Sequence, residues 1–222
     1  MRITLSETFV SIQGEGLDVG QPAFFIRTGR CSVGCKFCDT RYAWNSKKTA
    51  QVTEIVKEAL KSKLPEVIIT GGEPLEEENL PLLIRLLSKE ERIKRITIET
   101  CGHIFRDDLP GEKLKIVLSP KPPTMGVTFP EESLKKFLKT YERAYIKFGV
   151  FSQKDFETIK TFAFKNSELI KEPIVIQPLE TPFEDYIETC RRVTHMVVED
   201  REFVNAFSVR IIPQVHKLIG LK

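Results

Sequence analysis

The stretch Cys31-Ser-Val-Gly-Cys35-Lys-Phe-Cys38 constrains this chain more than any other: three thiols within eight residues, in a loop after the apolar run Ala23-Phe24-Phe25-Ile26. Closely spaced thiolates are soft ligands for zinc or an iron-sulfur cluster. Structural zinc needs four ligands to close its tetrahedron, and this stretch offers three and no histidine. Three thiols therefore point to a cluster with one open iron. The alternative is a zinc site completed from elsewhere by Cys101 or His103, in a non-catalytic binding module. The chain has five cysteines, an odd number with three clustered, so a disulfide framework explains them poorly and a reducing, cytoplasmic setting explains them better. Cys190, in an amphipathic stretch, reads as a core residue.

Around that loop the pattern alternates between strand and helix. A strand-like run from Thr8 ends in the glycines of Ser11-Ile-Gln-Gly-Glu-Gly16, and Ala23 to Thr28 reads as a buried strand carrying Arg27, which needs an anionic partner. Apolar residues at helical spacing from Val52 to Leu60 follow two possible caps, Thr49 and Thr53. Strands are predicted at Glu66–Thr70, Arg95–Glu99, Lys115–Ser119, Tyr145–Phe148, Ile174–Gln177 and Val209–Ile212. Helices are predicted at Leu80–Leu87, Glu131–Lys139, Gln153–Ala163 and from about Pro182. Strands separated by helices imply parallel pairing with the helices outside. The fold class is α/β, and the small number of βα units predicts a partial, open parallel β/α barrel in a single domain, residues 1–222.

Parallel sheets carry their functional loops at the carboxyl ends of the strands. There this chain places Thr70-Gly-Gly-Glu-Pro74, Glu99-Thr-Cys-Gly, Ser119-Pro-Lys121 and Gln177-Pro-Leu-Glu180. Gly71 and Gly72 would expose backbone to a ligand, and Glu73 offers a carboxylate to a ligand ammonium. The net charge of +3, with both signs interspersed, argues against a nucleic-acid surface, and no apolar run approaches membrane-spanning length.

The cysteine spacing, with Phe37 before the third thiol, resembles that of the radical S-adenosylmethionine (SAM) enzymes, and Thr70-Gly-Gly-Glu-Pro74 is similar to the motif with which they hold the SAM amino group. In that superfamily SAM chelates the open iron of a 4Fe-4S cluster, and electron transfer releases a 5′-deoxyadenosyl radical. A narrower resemblance rests on Ser11 to Gly16, Arg27, Cys38-Asp-Thr40, the glycine motif, Glu99-Thr100, Ser119 to Lys121 and Gln214-Val-His216-Lys217. Together these resemble the 7-carboxy-7-deazaguanine synthase family, whose members contract 6-carboxy-5,6,7,8-tetrahydropterin with loss of ammonia on the path to queuosine.

The resemblance implies cluster ligands Cys31, Cys35 and Cys38, and a magnesium ligand in Thr40. It implies SAM contacts at Phe37, Cys38, Asp39, Gly72, Glu73, Ser119, Pro120, Lys121, Gln177, Pro178, Leu179 and Glu180. Substrate contacts would come from Ile12, Gln13, Gly14, Arg27, Thr70, Gln214 and the terminal Lys222; the chemistry of their own side chains makes Glu15 and His216 the candidates for proton transfer. It further implies a homodimer served by an electron donor such as flavodoxin or ferredoxin. Departures from the family pattern are Arg30 for glycine, Cys101 for asparagine, Val215 for threonine and a final Lys222 where some members have proline. The mechanistic rival is a glycyl-radical activating enzyme, which would need a wide groove for a protein substrate.

Overall fold

The computed structural model describes residues 1–221. In chain order the main elements are β1 (Arg2–Ile12), β2 (Pro22–Thr28), β3 (Thr49–Gln51), α1 (Val52–Ser62), β4 (Glu66–Gly71) and α2 (Leu80–Lys89). They continue through β5 (Arg95–Thr100), β6 (Leu114–Leu118), α3 (Glu131–Thr140), β7 (Ala144–Val150) and α4 (Gln153–Lys165). The chain then adds β8 (Ile174–Pro178), α5 (Tyr186–Glu199), α6 (Arg201–Ala206), β9 (Val209–Ile211) and the short α7 (Val215–Leu218). The strands form one sheet in the order β3-β1-β2-β4-β5-β6-β7-β8-β9, so β3 and β9 are its two edges and the barrel is open.

From β2 through β9 every neighbouring pair is parallel. The strands separated by helices pair in parallel as expected, while at the amino end β1, with no helix between it and β2, runs antiparallel to both β2 and β3. Only a short loop joins β1 to β2, and a chain that reverses over so few residues pairs antiparallel.

Alternation along the strands builds two different faces. Phe24, Ile26, Val67, Ile69, Ile96, Ile98, Ile116, Leu118, Ile146, Phe148, Ile174 and Ile176 share one large core with the apolar stripes of α1 to α5. The intervening residues point into the barrel. There Phe25, Ala23 and Ile68 form one small cluster, and Val117, Tyr145 and Val175 another that Leu17 joins from the β1–β2 loop. A period of two thus sends isoleucine and leucine outward to the helices, and leaves the inner positions free for polar chemistry near the strand ends.

Caps fix where the helices begin. At α1 the N-cap is Gln51, whose backbone amide donates to Glu54 at 3.2 Å, so neither Thr49 nor Thr53 fills that place. Ser152 caps α4 and receives the Asp155 amide. Asp185 accepts from the amides of Ile187 and Glu188, which starts α5 at Tyr186, later than Pro182.

Candidate active site

At the carboxyl ends of the strands lies a cavity of about 570 Å³. One end of it is the cysteine loop. Cys31, Cys35 and Cys38 are free thiols that all line the cavity, and an apolar patch of Met125, Leu179, Val33 and Phe37 packs about Cys35. Burial pushes the Cys31 and Cys35 thiols up, which a bound metal would reverse by displacing the protons. Ser32 ties the loop to the turn after β4: its amide and hydroxyl both donate to Glu76, at 2.8 and 2.7 Å.

The glycines at the end of β4 close the same wall. Gly71 has φ +153°, and a side chain on Gly72 would place its Cβ 1.8 Å from the Arg30 carbonyl oxygen, so only glycine fits there. That carbonyl accepts the Glu73 amide at 2.9 Å. The Glu73 side chain, however, is turned away from the cavity and is 1% exposed. It accepts from Thr100 Oγ1 at 2.6 Å, from the Cys101 amide at 2.9 Å and from the Leu75 amide at 3.0 Å, so it braces β4 against β5 and does not face a ligand ammonium. Pro178 is likewise buried in β8 and does not line the cavity, whereas Gln177, Leu179 and Glu180 do.

At the other end the inward strand positions converge. Lys147 on β7, 4% exposed, donates to Glu99 of β5 at 2.7 Å and to Glu15 of the β1–β2 loop. Gln13 donates to Glu99 at 3.0 Å, and Gln214 donates to Glu15 at 2.6 Å. Burial alone would raise the Glu15 carboxyl, but the Lys147 charge and the hydrogen bonds from Lys147 and Gln214 win and hold it down at about 2. Glu99, with less help against its burial, is pushed up. Burial also works against the Lys147 ammonium, and the two carboxylates outweigh it and keep it charged.

Arg27 lines the cavity beside this network. Its Nε donates to Glu7 at 2.9 Å, Tyr42 also donates to Glu7 at 2.8 Å, and the guanidinium lies 5.4 Å from the Phe9 ring and 5.8 Å from that of Tyr42. That bond to Nε leaves the two terminal nitrogens of the fork for an oxyanion.

Ile12, Gln13, Gly14, Thr70 and Gln214 line the same space, as do Thr40, Ser119, Pro120 and Lys121. His216 packs so closely on Gly14 that a Cβ there would sit 1.9 Å from Nδ1, and that nitrogen is buried without a partner. The segment carrying it is pinned by Val215 donating to the Gly14 carbonyl at 2.9 Å, and by Lys217, which bridges Asp39 at 3.1 Å and Glu180 at 2.6 Å. Lys222 lies outside the described residues. Among the lining residues that escaped the sequence reading, two bear on the chemistry. Lys147 sits mid-strand, where alternation alone cannot tell barrel interior from solvent, and Trp44, whose buried Nε1 has no partner, gave no local signal.

The donor set suits the groups that the cysteine spacing suggests. Three thiols line a partly apolar wall of the cavity together with the backbone of Gly71 and Gly72, and Gln177 Oε1 stays unpaired at the same cavity. Thr40 Oγ1, 3.5 Å from Cys38 Sγ, gives a hard oxygen ligand of the kind magnesium takes. The model of the radical SAM superfamily matches residues 25–145, from β2 through the start of β7, and the chain is a radical SAM protein.

Two similar proteins are 7-carboxy-7-deazaguanine synthases. That of Aquifex aeolicus is 31% identical over 99% of this chain and 94% of its own, and that of Thermoplasma acidophilum is 30% identical over 97% and 96%. This chain belongs to the 7-carboxy-7-deazaguanine synthase family. The crystal structure of QueE from Escherichia coli shares the fold, with a TM-score of 0.74 at 24% identity over 97% of this chain and 95% of that one. Membership of the radical SAM superfamily sets aside the zinc module, and membership of the 7-carboxy-7-deazaguanine synthase family within it sets aside the activating enzyme.

Proposed function

We propose that this chain converts 6-carboxy-5,6,7,8-tetrahydropterin to 7-carboxy-7-deazaguanine with loss of ammonia, in queuosine or related deazapurine biosynthesis. One observation carries the reading: a single cavity joins a three-thiol loop at one end to an arginine fork and a buried lysine–carboxylate network at the other. When bound, the 4Fe-4S cluster and SAM supply an electron and a carbon-centred radical that takes a hydrogen atom from the substrate.

The residues of the chain do the rest. Cys31, Cys35 and Cys38 hold the cluster, while the backbone from Phe37 to Asp39, Gly72, Ser119 to Lys121, and Gln177, Leu179 and Glu180 hold SAM. Arg27 grips the substrate carboxylate, and Gln13, Thr70 and Gln214 read the pterin edge. Ile12 and Gly14 shape the floor, and Thr40 holds magnesium together with substrate oxygens and water. Lys147 is a buried ammonium in direct contact with both Glu15 and Glu99, so it keeps its proton and fixes the two carboxylates in place, while Glu99, pushed up by burial, is the carboxylate of the pair better suited to take a proton released during rearrangement. His216 Nδ1 is free for the same task, whereas Glu15, held ionised, accepts and does not donate.

Phe37 meets Phe183 edge to face beside the cysteine loop, and Phe151 lies tilted against Phe183, so the loop is braced by aromatic contacts. We further read residues 1–222 as one domain acting as a homodimer in the cytoplasm, with a flavodoxin- or ferredoxin-type donor. The unbroken sheet supports the first, and no helix among the described residues is long and apolar enough to cross a membrane. Light scattering checks the dimer.

The test is anaerobic turnover of reconstituted protein with SAM, magnesium, a reductant and the carboxytetrahydropterin, read by mass spectrometry beside Cys35→Ala. Both 5′-deoxyadenosine and carboxydeazaguanine appear, and neither forms with the variant. Deoxyadenosine without the deazaguanine would reject this substrate.

A further inference from the structure

Glu73, Cys101 and His103 stand outside the roles just given, and they converge. Cys101 and His103 open the irregular loop between β5 and β6, and Glu73 follows β4. One ligand atom from each lies within 4.8 Å of the others. Cys101 Sγ is 2.9 Å from His103 Nδ1, and Nδ1 is 3.9 Å from Glu73 Oε2. We propose that these three residues form a second metal site, for a thiophilic divalent cation of the zinc type, at the wall shared with the cysteine loop.

The donor set is one thiol, one imidazole and one carboxylate, which is zinc chemistry and leaves one position for water or a ligand. Tetrahedral zinc would set sulfur and nitrogen roughly 3.5 Å apart. The Sγ–Nδ1 pair therefore has to open by a few tenths of an ångström. His103 is the partner that can move, because its side chain is 28% exposed while Glu73 and Cys101 are buried.

A further feature points the same way. The other ring nitrogen, His103 Nε2, faces Ser32 Oγ at 3.4 Å and Glu76 Oε1 at 3.7 Å. A metal-bound histidine commonly donates its remote N–H to a carboxylate, which fixes ring and tautomer, and Glu76 stands where that partner belongs. Glu76 also receives both the amide and the hydroxyl of Ser32, next to Cys31, so the site is mechanically joined to the cluster loop. Cys101 lines the large cavity directly, and a cation on its sulfur would be reachable from there.

Zinc measured on cluster-loaded protein under anaerobic conditions tests the site. Equilibrium dialysis against Zn2+, with metals counted by mass spectrometry, gives one retained zinc beside the cluster iron in the wild type. Retention falls at least tenfold in Cys101→Ser and in His103→Gln, whose iron content stays unchanged. Co2+ in place of Zn2+ develops thiolate-to-metal charge-transfer absorption that Cys101→Ser abolishes. Zinc also raises the melting temperature of the wild type and not of either variant. A Cys31→Ala/Cys35→Ala/Cys38→Ala protein binds zinc in the same Cys101-dependent way, so loss of the cluster reading and loss of this one are told apart. No zinc beyond background, or equal retention in Cys101→Ser, overturns the proposal.

Discussion

Lys147 is a buried ammonium that neutralises two buried carboxylates. Replacing it by methionine keeps the volume and leaves both carboxylates without their cation, so Lys147→Met costs about 3–5 kcal/mol by denaturant unfolding at neutral pH. The pH dependence has a defined sign. Glu15 is held below its ordinary value, so its contribution is full above about pH 4.5 and is lost as pH falls towards about 2, on the order of 3 kcal/mol. Glu99 is pushed the other way and offsets part of that loss, because protonating it favours the fold. Acid titration of stability therefore shows a drop below pH 4.5 in the wild type that Lys147→Met removes. Arg30 is a second case: its φ of +59° is left-handed backbone where glycine is at ease. Arg30→Gly relieves that strain and raises stability by up to about 1 kcal/mol, read as a shift in the urea midpoint.

Among the elements, α4 does more than cover β7. Asp155 in its first turn is wholly buried and accepts from the Thr124 amide at 2.9 Å, from Thr124 Oγ1 at 2.7 Å, and from the amides of Phe151 and Ser152. It thereby ties the loop after β6, with Ser119 to Lys121 and Met125, to the end of β7. Asp155→Ala leaves several buried donors unpaired and costs roughly 3 kcal/mol; SAM affinity, measured calorimetrically on surviving protein, falls with it. Most of these elements were legible in the sequence because outward strand positions and helix stripes are strongly apolar. What stayed hidden was decided by tertiary context. The three residues of β3 have no periodicity to read, and β1 is longer than its glycine-ended run suggested and turns back on β2. Glu73 sits in a recognisable motif, yet its bonds to Thr100 and Cys101 come from the end of β5 and the loop after it, 27 and 28 residues on, so its burial could not be read locally. Lys147 looked like any polar residue on a half-solvated strand; it is the closure of the sheet around an interior that buries it.

At the scale of the whole molecule the main core and the cysteine loop are separate clusters. Stripping the iron should leave the sheet and helices folded: far-ultraviolet circular dichroism stays within a few per cent, while amide exchange quickens at residues 31–46 and 121–127. A collapse of the whole spectrum would show instead that the cluster holds the fold together.

The β1–β2 loop has one more effect. Leu17 is wedged between Val117, Tyr145 and Val175, with its amide donating to the Tyr145 hydroxyl, and Asp18 below it clamps Arg95 and Lys115. The barrel is thereby corked from beneath, and the groove on the far side, lined by Arg95, Lys115, Arg143 and Glu172, shares no residue with the cavity above. Traffic into a blind chamber is a queue. Two guests that share one mouth constrain the order in which each can come and go, and product-inhibition patterns would read that order out.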